Sequence, residues 1–213
     1  MRFASRQDAG RRLGKFLRER GISADLVLGL PRGGVVVAAE VARELKLPLD
    51  VLVVRKIGHP MQREFAVGAL AEPEVLILDE MALSGFPVAR SQLDRVIAEE
   101  TLRLKAYRSR FHGSVAPSLK DKTVLLVDDG LATGATAEAA VLSAQQQRAC
   151  RIIVAAPVAS TSALAKLERA ADEVVALAVD PDFAAVGQYY DNFAQTTDDE
   201  VVALLSDAAS RRK

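Results

Sequence analysis

Cysteine is nearly missing from this chain: Cys150 is the only one. That count excludes an internal disulfide framework and any zinc site built from several thiolates, and it suits a reducing compartment. Cys150 itself is expected to be a small buried side chain. Excess charge is missing too. The 28 Lys and Arg residues cancel the 28 Asp and Glu residues, so no global field gathers nucleic acid or an anionic membrane, and any anion site has to be local. No apolar run approaches the roughly 20 residues that cross a bilayer. Met1 to Arg20 alternates charged with apolar residues and lacks the hydrophobic segment of a secretory signal. A soluble cytoplasmic protein with neither nucleic-acid nor membrane partners is expected. Internal repeats, the nucleotide pattern G-x-x-x-x-G-K-[ST] and the dinucleotide pattern G-x-G-x-x-G are absent as well.

What is present is an alternation of short β-branched runs with longer helical ones, in 213 residues of which half are hydrophobic, enough for one substantial core. Ser5 to Arg20 reads as an amphipathic helix with Ala9, Leu13, Phe16 and Leu17 on one face. Asp25 to Leu30 is a strand, followed by Pro31-Arg32-Gly33-Gly34 and a helix to about Leu45. Leu49 to Lys56 is expected to be one buried strand. Gly58 and Pro60 are expected to keep Ile57 to Glu64 out of regular structure, and two short strands after it complete a hairpin excursion. Ser91 to Phe111 is the longest helix. Strands at Thr123–Val127, Arg151–Pro157 and Glu173–Val179 alternate with helices at Gly134–Gln147 and Ser160–Ala170. The expected class is α/β, a mainly parallel central sheet flanked by helices. Such sheets bind ligands at the carboxyl ends of their strands. Three polar clusters occupy such ends: Arg32 with its glycines, Arg55-Lys56, and Asp128-Asp129.

The stretch TVLLVDDGLATGATAEAAV, Thr123 to Val141, carries the chemistry. Two adjacent carboxylates repel unless something shares them. The loop Ala132 to Thr136 opens a helix whose first N–H groups have no internal partner and can take a phosphate, with the Thr133 and Thr136 hydroxyls beside them. A sugar carrying that phosphate would present vicinal hydroxyls to Asp128 and Asp129. An ordinary helix cap by Thr133 is the plainer reading of the loop alone, and surface ion pairs are the plainer reading of each basic residue taken singly.

The run VLLVDDGLATGAT, Val124 to Thr136, resembles the phosphoribosyl pyrophosphate (PRPP) binding motif of the type I phosphoribosyltransferases, and order and spacing agree with that family from about residue 25 to residue 180. The resemblance implies a single domain over residues 1–213, with a core of about 22–180 and a hood made from about 1–20 and 180–213. It implies PRPP contacts from Arg32, Gly33, Gly34, Arg55, Lys56, Asp128, Asp129, Ala132, Thr133, Gly134, Ala135 and Thr136. Asp128, Asp129, Arg32 and Lys56 would be catalytic, the two acids facing Mg2+ as well as the ribose. A nitrogen nucleophile would displace pyrophosphate at C1, with cations stabilising the departing oxygens. His59, Gln62 and Arg63 fall in the family's lid. The overall match, RKIGHPMQREFAVGAL included, is closest to small bacterial members of the family. The family habit is a homodimer.

Purine-using members carry an acid three residues after the second aspartate; Ala132 stands there, which weakens a purine acceptor without proving a pyrimidine one. Seven phenylalanines and three tyrosines are the chain's only aromatics, and four of them crowd Asp180 to Phe193. Phe183, Tyr189 and Tyr190 are expected to form a stacking platform for a flat acceptor, with at least two of the four packing the hood instead. Phe3 and the first helix are expected hood partners, and Thr197 to Ala208 a docking helix with a good start. His59 and His112 are both expected to be solvated. A non-catalytic PRPP sensor on the same fold is the open alternative.

Overall fold

The computed structural model describes residues 1–112 and 116–211, so the last two residues of the expected hood, 212 and 213, lie outside it. In chain order its elements are α1 (Arg6–Glu19), β1 (Leu26–Gly29), α2 (Gly33–Leu45), β2 (Leu49–Val51), β3 (Val54–His59), β4 (Gln62–Ala71), β5 (Val75–Leu78), α3 (Glu80–Gly85), α4 (Arg90–His112), β6 (Thr123–Val127), α5 (Ala135–Gln146), β7 (Arg151–Ser160), α6 (Thr161–Leu167), β8 (Glu173–Asp180), a short 3₁₀ turn (Val186–Tyr189) and α7 (Asp198–Ser210).

Five strands pair in parallel in the order β2-β1-β6-β7-β8. Side chains alternate between the faces of a strand, and here both faces are dry. Leu26, Leu28, Val124 and Leu126 point into a core under α5 and α6. Val27, Leu125, Val127 and Ile153 point into the opposite core under α1 and α2. That double burial explains why β1 and β6 read as unbroken apolar runs. Gly10 and Gly14, one turn apart on α1, set how closely that helix lies on α2: a Cβ on Gly10 would meet the Val37 carbonyl at 2.7 Å. Ser5 caps α1, and Thr197 caps α7 through a reciprocal pair with Glu200.

The segment Leu49–Lys56 is not one strand. Leu52 N–H still reaches the Gly29 carbonyl, but Val53 N–H donates to the buried Glu72 carboxylate at 2.8 Å, and from Val54 the chain enters a separate antiparallel sheet, β3-β4-β5. The segment Ile57–Glu64 is likewise more regular than expected. Pro60 and Met61 form the turn between β3 and β4, while Gly58 sits inside β3 at a register shift, where a Cβ would lie 2.2 Å from the Arg63 carbonyl. Cys150 is exposed, on the connection between α5 and β7, where a small residue has no core to enter.

His112 and His59 are both buried, contrary to expectation. The His112 ring lies between two carboxylates, with Nδ1 3.2 Å from Asp50 and Nε2 2.8 Å from Glu72. Burial alone would lower its pKa, but the hydrogen bonds and charges of Asp50 and Glu72 outweigh burial and raise it from 6.5 to about 9. Folding thus holds the His112 proton more tightly than the unfolded chain does. The ion pair's contribution is complete below about pH 6.5 and is lost as pH rises through about 9. Thermal melts of wild type and His112→Gln should therefore differ most at or below pH 6.5 and converge toward pH 9.5; a gap independent of pH contradicts the paired, protonated imidazole.

Candidate active site

Strand order reverses between β1 and β6, since β1 leads outward to β2 and β6 leads the other way to β7. Loops leaving the two strands at such a point diverge and open a crevice. Gly29 lies opposite Val127 in register, so Leu30–Gly34 and Asp128-Asp129 leave the sheet side by side. Their approach is too close for side chains. A Cβ on Gly34 would stand 2.8 Å from the Val127 carbonyl, and one on Gly33 would stand 2.0 Å from Asp129 Oδ2. The paired glycines are thus a requirement of the acids beside them.

The crevice is about 190 Å³ and is lined by Arg32, Gly33, Lys56, both acids and the start of α5. Gly134 caps that helix in the left-handed region with φ 73° and supplies no side chain to its amides. The expected cap by Thr133 is only a long contact, 3.4 Å from Ala135 N–H, and the first helical bond runs from Glu138 N–H to the Gly134 carbonyl at 2.8 Å. Apart from that long Ala135 contact, the first-turn amides of Ala135, Thr136 and Ala137 have no partner inside the helix, and all three residues line the crevice. A larger cleft of about 760 Å³ adjoins it between the β3–β4 hairpin and α4, and Arg32, Lys56 and Thr136 line both.

The two acids differ. Asp128 is raised well above the usual carboxylate range, to about 8, first by burial and then by the Asp129 charge; the Asp129 N–H bond to its Oδ1 and the Lys56 charge pull the other way. Asp129 is gripped. Arg6 Nε donates to its Oδ2 at 2.7 Å, and Arg6 Nη1 donates to the Ala194 carbonyl at 2.7 Å. The guanidinium lies 3.9 Å from the centre of the Phe193 ring. The Tyr190 hydroxyl donates to the Asp129 carbonyl at 2.6 Å, and that burial beside a carboxylate pushes the phenol's pKa up. Sequence reasoning missed Arg6. A signal was there: a cation in the first helical position opposes the positive end of the helix dipole, so it needs a partner elsewhere.

Arg32 stands at the mouth of both clefts with Asp198 3.6 Å away, and Lys56 is exposed beside Asp128. Arg55 is turned to α4, paired with Glu100 at 2.8 Å and lying over the Tyr107 ring. Arg55 nevertheless lines the larger cleft together with Arg32 and Lys56. The expected stacking platform is not formed. Tyr189 and Tyr190 are buried with Phe3 in the hood's own core, Tyr189 donating to Asp180 at 2.7 Å, and Phe183 leans on Tyr189. These rings anchor the chain ends on each other and on Val158 of β7, as the bridge between Phe3 and Tyr190 also shows. In the hairpin, His59 packs between Phe65 and Phe86, while Gln62 and Arg63 are exposed, with Arg63 3.0 Å from Glu99.

A doubly covered parallel sheet with an acid pair and a helix start meeting at its switch point is the type I phosphoribosyltransferase architecture. The chain belongs to the phosphoribosyl transferase domain family, whose description matches residues 4–194. Chains of two Mycobacterium tuberculosis strains, provisionally named as phosphoribosyl transferases, are 45% identical over 207 residues, 97% of this chain and 47% of theirs. The chain thus spans about half the length of the curated relatives it matches. An orotate phosphoribosyltransferase of Saccharolobus solfataricus is 27% identical over 77 residues, 36% of this chain and 39% of that one. The crystal structure of TT1426 from Thermus thermophilus superposes with a TM-score of 0.77 at 46% identity, covering 97% of this chain and 99% of that one. Among the described residues no helix is long and apolar enough to cross a membrane.

Proposed function

We propose that the chain transfers the 5-phosphoribosyl group of Mg-PRPP to a nitrogen nucleophile, a nucleobase or related amine, with release of pyrophosphate. The observation that carries this reading is the meeting, at one switch point, of Arg32 and its glycines, the two acids and the bare start of α5. The α5 amides and Thr136 hold the 5′-phosphate, and the acids accept from the ribose hydroxyls. Arg32 and Lys56 flank the diphosphate. The bond from C1 to the diphosphate oxygen breaks and the bond from C1 to nitrogen forms; the nitrogen's proton leaves to solvent. Positive charge growing on the sugar is met by the negative charge that the Asp128-Asp129 pair carries, and negative charge on the leaving oxygens by cations. Magnesium is commonly held by one or two carboxylates together with substrate phosphates, and the Asp128-Asp129 pair suits such an ion. When bound, it would neutralise part of the diphosphate charge. Of the lid residues His59, Gln62 and Arg63, Arg63 lines the larger cleft. Ala132 and the partial likeness to an orotate enzyme favour a pyrimidine-like acceptor over a purine. A cytoplasmic homodimer completes the proposal, the dimer to be checked by light scattering.

Mass spectrometry of reactions containing PRPP, Mg2+ and a panel of bases and amines tests it: one acceptor should gain a ribose phosphate as pyrophosphate appears. Binding of PRPP with no release for any acceptor would support a sensor instead. Thr136→Val should weaken ribose 5-phosphate about tenfold, the worth of one hydrogen bond to a charged group. Calorimetry measures it, and an unchanged affinity would put the phosphate elsewhere.

A further inference from the structure

We infer that Arg6 is a positioning residue for the sugar site: it holds one carboxylate oxygen of Asp129 so that the other faces the crevice, and it ties both hood segments to that acid. The inference rests on the PRPP reading above. Arg6 is the first residue of α1, yet its guanidinium reaches across the fold to three things at once: Asp129 Oδ2 at 2.7 Å, the Ala194 carbonyl at 2.7 Å and the face of Phe193 at 3.9 Å. Side-chain exposure of Arg6 and Asp129 is 11% and 14%, so solvent screens the pair little. The loop of Gly33 closes over the pair, since a Cβ there would lie 2.6 Å from Arg6 Nε. With Oδ2 held by Arg6 and the main-chain carbonyl held by Tyr190, Asp129 has little freedom to turn. Asp129 nevertheless lines the crevice, which leaves its second oxygen as the group offered to a ligand. Only arginine fits the post. Lysine supplies one point charge and cannot make the two directed bonds while stacking on a ring.

Calorimetry with Mg-PRPP on wild type, Arg6→Gln, Arg6→Lys, Asp129→Asn and the Arg6→Gln/Asp129→Asn double variant is the test, with thermal melts confirming that each variant is folded. Expected are a loss of about tenfold or more for Arg6→Gln, a smaller recovery in Arg6→Lys, and a double variant no weaker than Asp129→Asn alone, because Arg6 acts through that acid. A further variant, Arg6→Ala, should lose at least as much affinity as Arg6→Gln and recover part of it when guanidinium ion is added at millimolar concentration. A lowered melting point with unchanged affinity would reduce Arg6 to a structural pin and overturn the inference. Tighter binding in Arg6→Gln would overturn it too, by making the contact an inhibitory latch. If wild type gives no heat, the PRPP reading itself fails, and this inference with it; if wild type binds and the losses are additive, only the inference fails.

Discussion

Asp128→Asn is expected to cut phosphoribosyl transfer by about 10²-fold or more, the scale on which a group aimed at developing charge matters, while leaving the free protein folded. Burial and the Asp129 charge hold Asp128 protonated to about pH 8 in the free chain, and an amide closely mimics a neutral acid. The Asp129 N–H that now bonds Asp128 Oδ1 can bond the amide oxygen instead. Linkage sharpens the test. Between about pH 3.8 and about pH 8 the folded chain keeps a proton on Asp128 that the unfolded chain releases, so this residue lowers stability progressively as pH rises through that window. The melting point of Asp128→Asn minus that of wild type should be near zero at pH 4 and increasingly positive toward pH 8. Wild-type turnover in the variant, or a variant that melts far below wild type at neutral pH, would remove Asp128 from the role given to it.

Gly33→Ala should be nearly as damaging to ligand binding, by a steric route. The added carbon would meet Asp129 Oδ2 at 2.0 Å and Arg6 Nε at 2.6 Å, so either the start of α2 or the ion pair must shift by about an ångström or more. Displacements of that size cost about 10²-fold in pre-aligned sites, whereas the overpacking itself should cost about 1–3 kcal/mol of stability. Affinity for Mg-PRPP should thus fall far more than the melting point does. Gly85→Ala is the control, because a Cβ there meets nothing within 4 Å. Unchanged affinity in Gly33→Ala would mean that the loop is not seated on the acids as described.

Much of the site was legible in the residues for a local reason. An apolar strand ending in two acids, followed by small residues at a helix start, is written within 13 contiguous positions, and the structure forms the strand and the helix where that stretch puts them. The glycines after Arg32 were also visible. Reading failed where partners are distant in sequence. Nothing near His112 announces Asp50 or Glu72, so a helix-end histidine read as solvated is in fact a buried ion pair. Nothing near Leu52 announces that Glu72 will take the Val53 amide and turn one apolar run into two strands of different sheets. Tyr189 and Tyr190 looked like a platform because aromatic composition is the same for a ligand shelf and for a small core.

The sequence by itself determined the layered α/β class, most of the alternation of strands with helices, and the place of the small-residue turn that opens α5, since hydrophobic period and glycine placement act over a few residues. Tertiary structure alone decided which charges are free. Arg6 and Asp129, 123 positions apart, neutralise each other while Lys56 stays open, and Arg55 goes to Glu100. Charge pairing depends on distance in space and on exclusion of water, and neither is written in the spacing of residues along a chain.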